Sequence, residues 1–287
     1  MNSNLLNELK HKIFRSGDPS YLYIGINVLI FVIIGVINIP FFLSGNGGLV
    51  YEGWVREYMG FPAALTKLPI RFYTIITYQF FHGGFFHLLF NMLWLFWMGR
   101  IFLDFLKPRQ FHFVYLTGGI AGALLYLLAF NAFPVFATSV TGATVIGSSA
   151  CVMAIVVATA TLVPDYSIRL LLFGNVKLKY LAIAYVLLDV IDVASSNAGG
   201  SFAHIGGGLL GFTYIKVLQS GTDWSTIFKK KPKLRVVKNS TSTPTSRPKG
   251  NAVDQREIDE ILDKISKTGY NKLTREEKET LFKASKH

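Results

Sequence analysis

Residues 201–218 read Ser-Phe-Ala-His-Ile-Gly-Gly-Gly-Leu-Leu-Gly-Phe-Thr-Tyr-Ile-Lys-Val-Leu. The single charge, Lys216, stands near the end of the run, and a lone histidine, His204, stands near its start. A helix needs roughly 20 apolar residues to cross the hydrocarbon core of a bilayer, and this run is close to that length. Ala203, Gly207 and Gly211 recur every four residues, a small-residue stripe along which another helix can approach closely. An imidazole beside such a stripe, inside lipid, is costly and marks function by default.

Five further runs of the same kind lie upstream, at 21–43, 83–104, 111–131, 147–163 and 178–195. Composition agrees with lipid as the solvent: 51% of the 287 residues are hydrophobic and only 16% are charged, against about a quarter charged in soluble domains. The net charge of +12 is not read as nucleic-acid binding, because the Lys and Arg residues flank the apolar runs as topology signals do. Lys10, Lys12 and Arg15 precede the first run. Arg100, Lys107 and Arg109 separate the second from the third, and Arg169, Lys177 and Lys179 the fourth from the fifth. Lys216, Lys229, Lys230, Lys231, Lys233, Arg235 and Lys238 close or follow the sixth. All four groups fall on one side if residues 1–20 are cytoplasmic, which puts both termini inside. Polar residues precede the first run, which is long enough to span and has no small-residue cleavage site, so it does not read as a removable signal.

The outer loop 44–72 mixes Tyr51, Trp54, Tyr58 and Phe61 with Glu52, Arg56 and Glu57. Aromatic residues of this kind favour the headgroup level, so the loop either lies in the outer leaflet or is an ordered loop with aromatic anchors. Segment 219–253 is a basic juxtamembrane stretch that becomes a Ser-, Thr- and Pro-dominated linker over 236–253. Beyond it, 254–287 predicts a small cytoplasmic helical hairpin. Asp254 would cap a first helix bearing Ile258, Ile261, Leu262 and Ile265, and Thr274 with Glu277 would form a capping box for a second. This hairpin has eight acids and eight bases, so it is no basic nucleic-acid arm; its apolar stripes pack on each other or on an unidentified cytoplasmic partner. Cys151, the only cysteine, allows no internal disulfide and reads as core.

With this orientation the second, fourth and sixth runs all enter from outside. Ser149, His204, His82, His87 and Asn91 then share the outer third of the bilayer, although they come from three distant segments. A serine hydroxyl is a weak nucleophile until a base takes its proton, and His204 is the candidate base. No Asp or Glu adjoins His204 in sequence, so the pair is expected to be a Ser–His dyad without an acidic third member. His87 and Asn91, four residues apart, share one helix face and can donate toward one oxyanion, as can the Ser149 amide at a helix N-terminus. Gly147 gives the chain freedom for a close approach. Ser148 is the rival nucleophile. Asp189 and Asp192, three apart on the fifth run, are expected near its outer end, bonded or hydrated, with a structural or gating role. Zinc chemistry lacks a His-Glu-x-x-His pattern, and His82 and His87 diverge by about 140° on a helix. An aspartyl protease would need carboxylates on facing helices, and no Gly-x-Gly-Asp follows. No metal or cofactor is called for.

These residues resemble the rhomboid family of intramembrane serine proteases. The resemblance covers the core 21–218 and rests on Gly-Ser-Ser-Ala at 147–150, on Ala-His-x-x-Gly-x-x-x-Gly from Ala203 to Gly211, and on His82 followed by His87-Leu-Leu-Phe-Asn91-Met. It implies an all-α, six-transmembrane-helix bundle, with Ser149 as nucleophile, His204 as base, His87 and Asn91 at the oxyanion and His82 in support. The tail looks like one that accompanies some bacterial rhomboids. Three positions depart from the pattern: Ala150 stands where glycine is usual, Met153 where an aromatic commonly packs on the catalytic histidine, and Tyr73-Thr74 where a Trp-Arg pair is often found. The expected substrates are transmembrane proteins cut near the outer boundary of a bacterial plasma (inner) membrane. An inactive rhomboid-like chaperone or binding protein is the non-enzyme alternative, and a transporter is disfavoured because the core shows neither paired charges along a path nor duplicated halves.

Overall fold

The computed structural model describes residues 3–47, 49–170, 174–195, 197–227 and 255–285. Its contacts divide the chain into two units, 1–229 and 230–287.

The larger unit begins with α1 (Ser3–Phe14) and α2 (Pro19–Leu43). Asp18 caps α2: its carboxylate accepts from the Ser20 backbone N–H at 2.8 Å, and Pro19, which has no N–H to satisfy, takes the first turn. Most of α2 is apolar and exposed, including Leu29, Val32, Ile33, Val36 and Ile37. A contiguous apolar face of this kind marks a membrane or partner surface. Four more long helices follow the outer loop: α4 (Phe85–Phe105), α5 (Pro108–Ala132), α6 (Ser149–Leu162) and α8 (Ala198–Gln219), with α7 (Leu178–Asp192) between the last two. Just after the outer loop, one turn forms α3 (Thr74–Thr77). Of these helices, α2, α4 and α5 are each long and apolar enough to cross a membrane. The observed elements follow the six apolar runs, with ends shifted by a few residues.

α6 is the centre of the bundle. It packs most heavily on α8 and also on α5 and α4, and Cys151, Met153, Ala154 and Ile155 have no accessible surface. The contact is close because a Cβ on Gly207 would meet the Ala150 backbone carbonyl, and one on Gly211 would meet that of Ala154. Two turns of α8 thus lie directly on two turns of α6. At the N-terminal end of α5, Asp223 gathers donors from three segments: Arg109 Nη2 at 3.0 Å, Gln110 Nε2 at 3.2 Å, Tyr214 Oη at 3.0 Å and the Ser225 backbone N–H at 2.9 Å.

Two short strand pairs accompany the helices. β1 (Phe61–Pro62) runs antiparallel to β2 (Thr144–Val145), joining the outer loop to the segment before α6. β3 (Ser167–Leu170) pairs with β4 (Gly174–Lys177), with Ile168 opposite Val176. This strand pair stands between α6 and α7. Within the outer loop, residues Leu49–Met59 form a wide helical turn with i→i+5 geometry. Arg71 and Lys67 hold Glu57 there, at 2.5 and 3.2 Å.

The smaller unit contains α9 (Gln255–Thr268) and α10 (Arg275–Ala284), which pack on each other. Ile261 and Leu273 are its buried apolar residues. The Thr274–Glu277 capping box forms in both directions, at 3.3 and 2.7 Å, and Lys264 reaches Glu277 at 2.6 Å. Asp254, the expected cap of α9, lies outside the described residues.

Candidate active site

The segment leading into α6 sets the site. Gly147 has φ of +130°, a conformation that L side chains rarely adopt. Its N–H donates to the Tyr78 carbonyl at 2.9 Å. A Cβ there would stand 2.8 Å from His87 Cε1, 2.9 Å from His87 Nε2 and 3.5 Å from Ser149 Oγ. The space a side chain at 147 would fill thus lies against both the His87 ring and the Ser149 hydroxyl.

The two serines that follow have different surroundings. Ser148 is fully buried, with its hydroxyl 3.0 Å from Nε2 of His82, itself 2% exposed. Ser149 is half-buried and lines a cavity of about 690 Å³. His87, Asn91 and His204 line the same cavity, and His82 and Ser148 do not.

On α4, Asn91 Nδ2 donates to the His87 carbonyl at 2.7 Å. A primary amide has two hydrogens, so one remains available. His87 Nδ1 faces the Gly83 backbone N–H at 3.4 Å. Accepting there makes Nδ1 the unprotonated nitrogen, which leaves the proton on Nε2, 2.9 Å from where a Gly147 Cβ would stand. The His82 ring stands edge-on to that of His87, with centroids 5.1 Å apart.

On α8, His204 occupies the second turn. Its Nδ1 lies 2.7 Å from Asp189 Oδ1 of α7; Asp189 is buried and His204 half-buried. This corrects the expectation of a histidine without an acidic neighbour. The carboxylate is fifteen residues away in sequence, and the turn between α7 and α8 brings it back. Among the described residues no hydrogen bond joins His204 to Ser149, although both face the cavity; catalytic contacts often tighten only when substrate binds. Asp192 accepts from Ser201 Oγ at 3.1 Å, a second tie between the same two helix ends.

The remaining sequence-marked residues are core or packing positions. Ala203 is 1% exposed. The methyl of Ala150, at a position where glycine is usual in the resembled family, points at Gly122, where a Cβ would stand 2.6 Å away; the missing side chain on α5 makes room for it. Met153 is fully buried against Gly208, one turn below His204. Cys151 Sγ donates to Gln79 Oε1 at 3.3 Å. Arg56 and Tyr185 also line the cavity. Arg56 was read only as an outer-loop charge, because nothing in a loop's sequence says that it folds back over a helix terminus.

The family model described as "Rhomboid domain" matches residues 69–220, more than half of the chain. A second, "Family of unknown function (DUF6576)", matches residues 250–287. No curated protein matches the chain. The first match covers α4 to α8 and with them every cavity-lining residue named above except Arg56, and the chain is a polytopic helical membrane protein that belongs to the rhomboid family.

Proposed function

We propose that the protein is an intramembrane serine endopeptidase. One observation carries the reading: Ser149, His204, His87 and Asn91, from three helices of a rhomboid domain, line one cavity. In the proposed reaction Ser149 Oγ attacks the scissile carbonyl while its proton passes to His204 Nε2. The oxyanion is held by the Ser149 amide, His87 Nε2–H and the free Asn91 hydrogen. Collapse of the tetrahedral intermediate breaks the peptide bond, and His204 returns the proton to the departing amine. Water, deprotonated by the same imidazole, then releases the acyl group from Ser149.

The length of α6 supports cleavage inside the membrane. Its 14 residues span about 21 Å, short of the roughly 30 Å hydrocarbon core. With the other end at one boundary, Ser149 lies beneath the opposite one, in a cavity that can hold water. Placement of Lys and Arg supports an orientation with that face outside and both termini in the cytoplasm, and the proposed site of action is a bacterial plasma membrane. Substrates are transmembrane proteins whose helices unwind near the outer boundary. Unwinding in lipid strands backbone groups, so small or helix-breaking residues are preferred there.

The test is cleavage of a single-span reporter in liposomes by the wild type, Ser149→Ala and His204→Ala. Both variants are expected to be inactive, and a fluorophosphonate is expected to label Ser149 with no sensitivity to a metal chelator. Full cleavage by Ser149→Ala would overturn the reading. A wild type that neither cleaves nor takes the label would favour an inactive rhomboid-like chaperone.

A further inference from the structure

We propose that Asp189 is a positioning residue for His204, holding its imidazole in the tautomer that Ser149 needs; this rests on the endopeptidase reading above. A neutral imidazole carries one proton on either of two nitrogens, and the partner of one nitrogen decides which. At 2.7 Å, Asp189 Oδ1 faces Nδ1, and a carboxylate oxygen can only accept. The proton therefore resides on Nδ1, and Nε2 is left with its lone pair to accept the proton of Ser149. When Nε2 takes that proton, the resulting imidazolium stays hydrogen-bonded to Asp189.

The surroundings make the contact more than a surface pairing. Asp189 is 7% exposed, and its Oδ2 is buried without a hydrogen-bond partner among the described residues. A buried oxygen is normally satisfied, so this carboxylate is spent on His204 alone. Tyr185, one turn earlier on α7, sets its ring edge-on to the imidazole, with centroids 6.3 Å apart. Asp192, on the same helix face, is bonded instead to Ser201 at 3.1 Å. The two acids thus divide the work, one holding the histidine and the other holding the helix end, and Asp192 supplies an internal control.

The experiment uses the full chain in liposomes with the single-span reporter. Asp189→Asn presents the wrong hydrogen-bonding partner to Nδ1. Its kcat is expected to fall by about 10²–10⁴-fold at unchanged KM, with fluorophosphonate labelling of Ser149 slowed in step. Asp189→Glu is expected to recover part of the loss. Asp192→Asn, which leaves His204 untouched, is expected to keep the wild-type kcat. Wild-type kcat in Asp189→Asn, with Ser149→Ala and His204→Ala inactive, would sink the positioning role and leave the endopeptidase reading standing. Full activity in Ser149→Ala would sink that reading and this role together. Should Asp189→Asn not fold, the tautomer is read directly in the wild type by nitrogen-15 NMR of labelled histidines, with His204→Ala assigning the signal. A proton on Nδ1 supports the proposal, and one on Nε2 overturns it.

Discussion

Gly147 is the residue at which backbone conformation and site geometry meet. Its φ of +130° strains any side chain, at a cost of about 1–3 kcal/mol. A methyl there would also push the His87 ring, whose atoms would stand 2.8 and 2.9 Å away. Gly147→Ala is therefore expected to reduce reporter cleavage by about 100-fold, since displacements near 1 Å cost that much, and the measurement is kcat in liposomes. Ser148 and Ser149 separate on the same logic. Ser148 is committed to His82 at 3.0 Å, so Ser148→Ala leaves the buried His82 Nε2 with only the long backbone N–H contact of residue 148, at 3.5 Å, and is expected to cost about 1–3 kcal/mol of stability while fluorophosphonate labelling of Ser149 persists. Thermal unfolding in detergent and a labelling gel read the two effects. In the sequence Ser148 stands as the rival nucleophile; its burial and its His82 partner count against it.

At the scale of elements, two contacts hold the site in place. The first is the α6–α8 seam. Gly207→Ala would drive a methyl into the Ala150 carbonyl, and overpacking of this kind costs about 1–3 kcal/mol. The expected result is a lower unfolding temperature together with reduced cleavage, because Ser149 and His204 ride on the two helices being parted. The second is the outer loop, clipped by Glu57. The Arg71 hydrogen bond, aided by Lys67, holds the Glu57 carboxyl below its ordinary value of 4.5. A lowered carboxylate contributes order that is fully present above 4.5 and is lost as pH falls through its folded value. Proteolysis within residues 49–59 by an acid-active protease is thus expected to accelerate as pH drops below about 4.5, and Glu57→Gln is expected to be susceptible already at neutral pH. The loop's aromatic content was visible in the sequence. Its clip was not, because Glu57 and Arg71 stand fourteen residues apart and their pairing depends on how the loop turns.

At the scale of the whole molecule, the chain is two units with separate internal contacts. The α9–α10 hairpin has its own buried pair, Ile261 and Leu273, and its own cap. A chain ending at Lys229 is accordingly expected to keep its helical content and its Ser149 labelling, which circular dichroism and the labelling gel would report. Loss of labelling would instead show that the tail supports the site.

The sequence by itself determined what depends on local properties. Hydrophobic run length set six helices and their approximate ends. Four-residue spacing put His87 and Asn91 on one face, and Thr274-x-x-Glu277 announced a capping box. None of these needs knowledge of what lies across the fold. Tertiary structure alone decided the rest. The approach of α7 to α8 turned an expected dyad into a histidine with a buried carboxylate, Asp189, at 2.7 Å. The return of the outer loop brought Arg56 to the cavity, and strand pairing tied Phe61 to Val145. The physical reason is common to all three. A hydrogen bond or ion pair acts only over a few ångströms, and the path of the backbone between distant residues decides which groups come that close.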